Sequence, residues 1–335
     1  REAEALQKVS SLKHPHLVRF IAAFKRNGTY YIVLEWAEGG NLKEFWEDRD
    51  STQKPLSQNE VLQYLQELLG LCNALQRLHQ LEILPPTGPS ERNMRHGDLK
   101  PENILNFGNK GTLGTLKISD LGLAKEHDEK TAMRMDTTKT IHGTIRYEAP
   151  EVHKLINHER ARSRRYDTWS MGCIIFESII WLLYGKGGLN KFWKNEESII
   201  SPKKDSLYFT TIGHPPTAAR LSDVISDWMK KIMQQEDQER QGSRTMIKDL
   251  LLLVKDKLLV VNLEPNAGST RIYANTLYDE MEAIYNEALK NPKYLFSGTR
   301  RPIPTNTRQV YKTHGSSIHL APPAVVSQPP MVAHS

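Results

Sequence analysis

One short stretch, His96-Gly97-Asp98-Leu99-Lys100-Pro101-Glu102-Asn103-Ile104-Leu105, brings together an acid, a base and an amide. Asp98 can accept the proton of a hydroxyl group. Lys100 can neutralise charge on a moving phosphate, and the amide oxygen of Asn103 suits Mg²⁺. These are the groups phosphoryl transfer requires, because that chemistry is mostly positioning and electrostatics. A polar stretch of this kind can equally be a solvated loop, so its neighbours decide.

The stretch resembles the catalytic loop of eukaryotic protein kinases, H-R-D-x-x-x-x-N, with Gly97 where the arginine would stand. Three further strings follow in kinase order. The apolar run Leu116-Lys117-Ile118-Ser119 leads into Asp120-Leu121-Gly122, which resembles D-F-G with Leu in place of Phe. Gly143-Thr144-Ile145-Arg146-Tyr147-Glu148-Ala149-Pro150-Glu151 resembles the G-T-x-x-Y-x-A-P-E that closes the activation segment. Asp167-Thr168-Trp169-Ser170-Met171-Gly172 resembles the D-x-W-S-x-G that opens the central helix of the large lobe.

The resemblance implies roles. Asp98 would be the base, Lys100 the charge-balancing cation, and Asn103 and Asp120 the Mg²⁺ ligands, with Gly122 permitting the turn that follows. Lys100 and Thr144 both take the serine/threonine-kinase form. The implied reaction moves a phosphoryl group from ATP to protein Ser or Thr hydroxyls. Implied partners are ATP and those proteins, not nucleic acid or a membrane. Asp167 would hold the catalytic-loop backbone from beneath, and Glu151 would pair with a late arginine, Arg240 or Arg244.

Upstream, His14-Pro15-His16-Leu17-Val18 resembles the family's H-P-N-I-V. Apolar, β-branched and aromatic runs over 18–24 and 30–35 flank Asn27-Gly28, a strong hairpin signal. Leu34-Glu35-Trp36-Ala37-Glu38-Gly39-Gly40-Asn41-Leu42 resembles the hinge between lobes. Leu34 would then be the gatekeeper, the backbone of Glu35 and Ala37 would meet adenine, Asn41 would lie near the ribose, and Leu105 beneath the base. Glu2, Leu6 and Val9 fit the spacing of the small-lobe helix that carries a glutamate, whereas Glu4 would turn Lys8 and Ser11 to the core. An apolar column joining the lobes would consist of Phe20, Leu6, Leu121 and His96.

The implied fold is α+β, the bilobal protein-kinase fold with an incomplete small lobe. Residues 1–36 would be the partial small lobe and 37–290 the mainly helical large lobe, with catalytic loop 96–105 and activation segment 120–151. The glycine-rich loop and strand-three lysine of the family have no counterpart in these 335 residues. Weak phosphotransfer is therefore expected of this stretch by itself.

Composition is that of an ordinary folded domain, at 39% hydrophobic and 25% charged residues. Cys72 and Cys173 lie in apolar helical runs, which points to buried thiols and an intracellular address, cytoplasm or nucleus. The run 171–184 is too short for a bilayer span and contains Glu177, so a helix buried all round is expected. The net charge of +6 does not indicate a nucleic-acid partner, because Arg300, Arg301, Arg308 and Lys312 supply +4 of it in a segment without acids. Residues 291–335 read as a disordered, basic, proline-containing tail. The basic cluster Arg160, Arg162, Arg164 and Arg165 reads as a solvated loop or, alternatively, as a docking site for acidic substrates.

Ser57 and Glu60 form a capping box ahead of Val61, Leu65, Leu68, Cys72 and Leu75, one apolar helical stripe. Residues 82–95 read as a surface insertion, 186–216 as an irregular connection, and 247–261 and 271–290 as helices. Glycine at 97 cannot grip an activation-loop phosphate as arginine does. Phosphorylation of Thr131, Thr137, Thr138 or Thr140 is therefore expected to be dispensable. The rival readings are a pseudokinase scaffold, suggested by Leu121 and Gly97, and a small-molecule phosphotransferase, which would lack the A-P-E element.

Overall fold

In a computed structural model of the chain, the described residues are 9, 11–51, 54–83, 92–120, 146–152, 164–197, 208–213, 218–261 and 270–304. Glu2, Leu6, Leu121, Gly122, Thr144 and the four activation-segment threonines lie outside them. Strands β1 (Phe20–Arg26) and β2 (Thr29–Leu34) form the antiparallel hairpin expected from Asn27-Gly28. Those two residues have φ of 48° and 81°, the left-handed pair a two-residue turn needs to match strand twist.

Helix α1 (Leu42–Ser51) begins after Asn41, and α2 (Gln58–Gln80) after the capping box of Ser57 and Glu60. All five residues of the expected α2 stripe are buried. A short ladder, β3 (Glu82–Ile83) with β4 (Arg92–Asn93), frames the region read as an insertion. Strands β5 (Ile104–Asn106) and β6 (Leu116–Ile118) then pair antiparallel, Ile104 opposite Ile118. Asn106 organises their loop: its side-chain oxygen accepts from Gly108 and Gly114 while its amide donates to Thr112 O.

The small-lobe chain is docked on this hairpin by residues 14–18. Val18 N–H donates to Ile118 O at 3.0 Å and Ile118 N–H to His16 O at 2.9 Å. His14 Nε2 meets Asn73 Oδ1 at 2.7 Å, and His16 Nδ1 meets Leu116 O at 2.8 Å. The His16 ring lies against Gly70 in mid-α2, where an added Cβ would stand 2.1 Å from Nε2. Glycine inside a helix costs about 1 kcal/mol relative to alanine. Gly70→Ala should nevertheless destabilise the protein, by about 1–3 kcal/mol, because the ring must leave its seat. Urea denaturation measures this, and a stabilised variant would contradict it.

Helix α3 (Arg165–Glu197) is the centre of the large lobe. Its segment 165–194 is long and apolar enough to cross a membrane by length and composition alone, yet its apolar window is wholly buried. Residues 186–216, read as an irregular connection, are not irregular throughout. The helix continues past a kink at Gly185 (φ 65°), and β7 (Phe209–Ile212) pairs with β8 (Ala218–Leu221). Tertiary contacts override the local glycine signal here: Asp50 accepts the Lys186 N–H, and Leu189 and Phe192 are buried.

Helices α4 (Asp223–Arg240), α5 (Met246–Leu253) and α6 (Ala274–Lys290) complete the lobe, with α6 packed along α2. The helix expected over 247–261 is α5 followed by a π turn, Val254–Leu258. The one expected over 271–290 starts at Ala274, which frees Arg271 for another role.

Residues 291–304 also depart from the expected disordered tail. Tyr294, Leu295 and Phe296 are buried. Arg300 pairs with Asp50 at 2.6 Å and lies over the Trp181 ring, while Arg301 pairs with Glu236 at 2.6 Å and Glu239 at 2.7 Å. Proline and basic content suggested disorder, but the aromatic-apolar triplet and two paired guanidiniums fasten this segment to α1, α3 and α4.

Candidate active site

The catalytic loop is held from below by one carboxylate. Asp167 Oδ1 accepts the Gly97 N–H at 2.8 Å, and Oδ2 accepts the His96 N–H at 2.8 Å and faces His79 Nε2 at 2.8 Å. Burial alone would raise the Asp167 pKa. The His79 hydrogen bond and charge and the Gly97 N–H outweigh burial and hold it below the ordinary value. His96 locks the loop from its other side: Nε2 bonds Ser119 O at 2.7 Å, and Nδ1 accepts the Asp98 N–H at 3.2 Å. A carbonyl only accepts and an amide only donates, so the proton sits on Nε2. Gly97 has φ 80°, a conformation glycine adopts freely and arginine does not.

Above that support, Lys100 Nζ lies 2.8 Å from Asp98 Oδ2, and Asn103 Nδ2 donates to Asp98 O at 2.8 Å and to Oδ2 at 3.1 Å. Both side-chain donors converge on Oδ2, so Oδ1 has no hydrogen bond to another described residue. Because the Asn103 NH₂ is committed to Asp98, its oxygen is the atom left for a ligand.

Ser119 ties this loop to the strand leading to Asp120. Its N–H and Oγ both donate to Asn103 O, at 2.8 and 2.9 Å. Asn103 and Asp120 therefore flank one end of the β5/β6 hairpin. Asp120 is exposed and has φ 57°, a conformation uncommon for a residue with a side chain and one that marks stored backbone strain. No other described residue bonds its carboxylate. An amide oxygen and a carboxylate are hard donors of the type Mg²⁺ prefers, with phosphate and water completing its shell. Among the described residues no three His, Cys, Asp or Glu side chains converge as a protein-only metal cage. The pair thus fits a cation shared with a phosphate ligand.

At the expected hinge, Glu35 donates its N–H to Arg19 O at 3.1 Å. Its Oε1 accepts from Arg19 N at 2.8 Å and Lys117 Nζ at 2.8 Å. Its carbonyl is what remains for an adenine edge. Ala37 and Leu105 are half-buried, and Leu105 bridges to Asn41. Asn41 has a role that went unread. Its Oδ1 accepts the Glu44 N–H at 3.1 Å and its N–H donates to Glu44 Oε2 at 3.0 Å, a capping box for α1. The Asn-x-x-Glu spacing was the available signal. Phe20 is half-buried against the core, and His96 is fully buried.

A family model for the protein kinase domain matches residues 1–252. The chain belongs to that family. This kinase domain is 28% identical over 254 residues to mitogen-activated protein kinase kinase kinase ANP1 of Arabidopsis thaliana, covering 76% of the chain and 32% of that protein. Serine/threonine-protein kinase nekl-2 of Caenorhabditis elegans is 32% identical over 181 residues, 52% of the chain and 43% of its own length. Human serine/threonine-protein kinase Nek10 is 26% identical over 236 residues, 66% of the chain and 18% of its own length. The chain thus spans less than half the length of each of these relatives.

The late arginine that pairs with Glu151 is Arg271, not Arg240 or Arg244. It grips Glu151 at 2.6 and 3.2 Å, is fully buried, and also donates to Val260 O and Arg165 O. Arg244 is exposed and pairs with Asp249.

The charge inside α3 was visible in the sequence, but its partners were not. Glu177 is fully buried and accepts from the hydroxyls of Tyr147 at 2.9 Å and Tyr208 at 3.1 Å. Burial pushes its pKa up to about 7, although the Arg146 charge and the tyrosine bonds pull the other way. The folded state then holds a proton that the unfolded state gives up near pH 4.5. Stability should fall as pH rises from about 4.5 to 7, by about 3 kcal/mol from this group. Glu177→Gln should flatten that slope and be the more stable protein at pH 8. Urea midpoints at pH 5 and pH 8 check it, and parallel profiles for the two proteins would refute it.

Proposed function

We propose that the protein transfers the γ-phosphoryl group of ATP to Ser or Thr hydroxyls of other proteins, with Mg²⁺. The observation that carries this reading is the joined pair of loops. Asp98, Lys100 and Asn103 form one hydrogen-bonded cluster, and Ser119 fixes that cluster to the strand that leads to Asp120.

In this reading the acceptor hydroxyl lies against Asp98 Oδ1. As the hydroxyl oxygen bonds to the γ-phosphorus, its proton passes to Asp98 and the bond to ADP breaks. Lys100, held at Asp98 Oδ2, balances charge on the transferring group. Asn103 and Asp120 would hold Mg²⁺, which when bound would neutralise phosphate charge. The carbonyl of Glu35 and the backbone of Ala37 position the adenine against Leu105. Relatives named as serine/threonine kinases support the choice of acceptor. Buried, unpaired Cys72 and Cys173 support an intracellular setting.

The test is transfer from labelled ATP to a mixed protein acceptor by the full-length protein. Phosphoserine or phosphothreonine is the expected product. Phosphotyrosine alone, or Mg-ATP binding without transfer, would favour a different assignment, the latter a scaffold.

A further inference from the structure

A cavity of about 330 Å³ lies where the docked small-lobe segment meets the hinge and β6. Its apolar lining is Val9, Leu17 and Val18, all buried. Its charged lining is Lys13, Arg19, Lys117 and Glu35. Three cations less one carboxylate leave an excess of two positive charges. The carboxylate is already engaged: Glu35 Oε1 takes both Lys117 Nζ and the Arg19 N–H. Lys13 and Arg19 are both exposed, and the Lys13 ammonium and Arg19 guanidinium have no hydrogen bond or ion pair with another described residue. His14, the remaining lining residue, has its pKa lowered first by burial and then by the nearby His16 and Arg77 charges, so it adds no charge at neutral pH.

We propose that this cavity binds a phosphate monoester carried on an apolar body. The dianion matches the twofold excess of charge, and guanidinium and ammonium groups are both favourable phosphate partners. The apolar body of the ester would lie on Val9, Leu17 and Val18. None of these residues carries a part of the phosphoryl-transfer reading except Glu35, which enters that reading through its carbonyl and this one through its carboxylate.

The probe is phenyl phosphate, titrated calorimetrically into the full-length protein, with phenol and inorganic phosphate as controls. Single-site binding is expected, with phenol and inorganic phosphate each at least about tenfold weaker. The exposed double substitution Lys13→Glu/Arg19→Glu should weaken phenyl phosphate by about tenfold or more, while Asp120→Asn should leave it unchanged. A phosphotyrosine peptide that binds more tightly than phenyl phosphate identifies a polypeptide source, and equal binding a free ester. Binding that survives the double substitution, is lost with Asp120→Asn, or is matched by phenol or inorganic phosphate would overturn the proposal. Because the readout is binding, the result is independent of phosphoryl transfer.

Discussion

Asp98→Asn is expected to lower kcat for phosphoryl transfer by about two to four orders of magnitude, the usual weight of a positioned general base. The fold should hardly notice. Asparagine has the same shape, and its oxygen can still accept from Lys100 and Asn103, which both bond Oδ2 in the native site. Stability should therefore stay within about 1 kcal/mol of the parent. What disappears is the proton-accepting lone pair at Oδ1. Steady-state kinetics with saturating Mg-ATP reads the first effect and thermal unfolding the second. A variant that kept a tenth of the parental kcat would remove Asp98 from the role of base.

The largest stability effect is expected at Asp167. Asp167→Ala leaves the buried N–H of His96, the half-buried N–H of Gly97 and the ring of His79 facing no acceptor. Orphaned buried donors cost about 1–3 kcal/mol each, and loss of one partner of a buried ionic contact about 3–5 kcal/mol. A net loss of about 3–5 kcal/mol is expected, with activity abolished because the catalytic loop loses its support. Asp167→Asn should recover part of the stability, since one oxygen remains. The Asp167 pKa is lowered, so its contribution is present above the ordinary carboxylate range and is lost as pH falls below it. Alanine tolerated within about 1 kcal/mol would show that the loop is held by something else.

The site was legible because its parts are contiguous. Asp98, Lys100 and Asn103 sit within one turn of chain, and the β5/β6 hairpin brings Asp120 to them through local pairing. Long-range partners were not legible. Arg271 meets Glu151 across a wide sequence separation, and an apparently continuous helical period over 271–290 hid its position just ahead of α6. His16 and Gly70 illustrate the same limit: the glycine appears as a weak point in α2 until the ring it accommodates is seen. Glu177 read as an interruption of an apolar run, and only the fold brings Tyr147 and Tyr208 to it. Compositional reading also misled at 291–304, where Tyr294, Leu295 and Phe296 outweigh the neighbouring prolines and arginines. The Asn41–Glu44 cap, in contrast, stood in the sequence as a recognisable spacing.

The most direct measurement is the affinity of the full-length protein for a non-hydrolysable ATP analogue, with and without Mg²⁺, in the parent and in Asp120→Asn. Tighter binding with Mg²⁺ in the parent, and loss of that Mg²⁺ enhancement in the variant, is the result expected if Asn103 and Asp120 share a cation with the phosphates. Nucleotide binding that ignores both the metal and the substitution would contradict it.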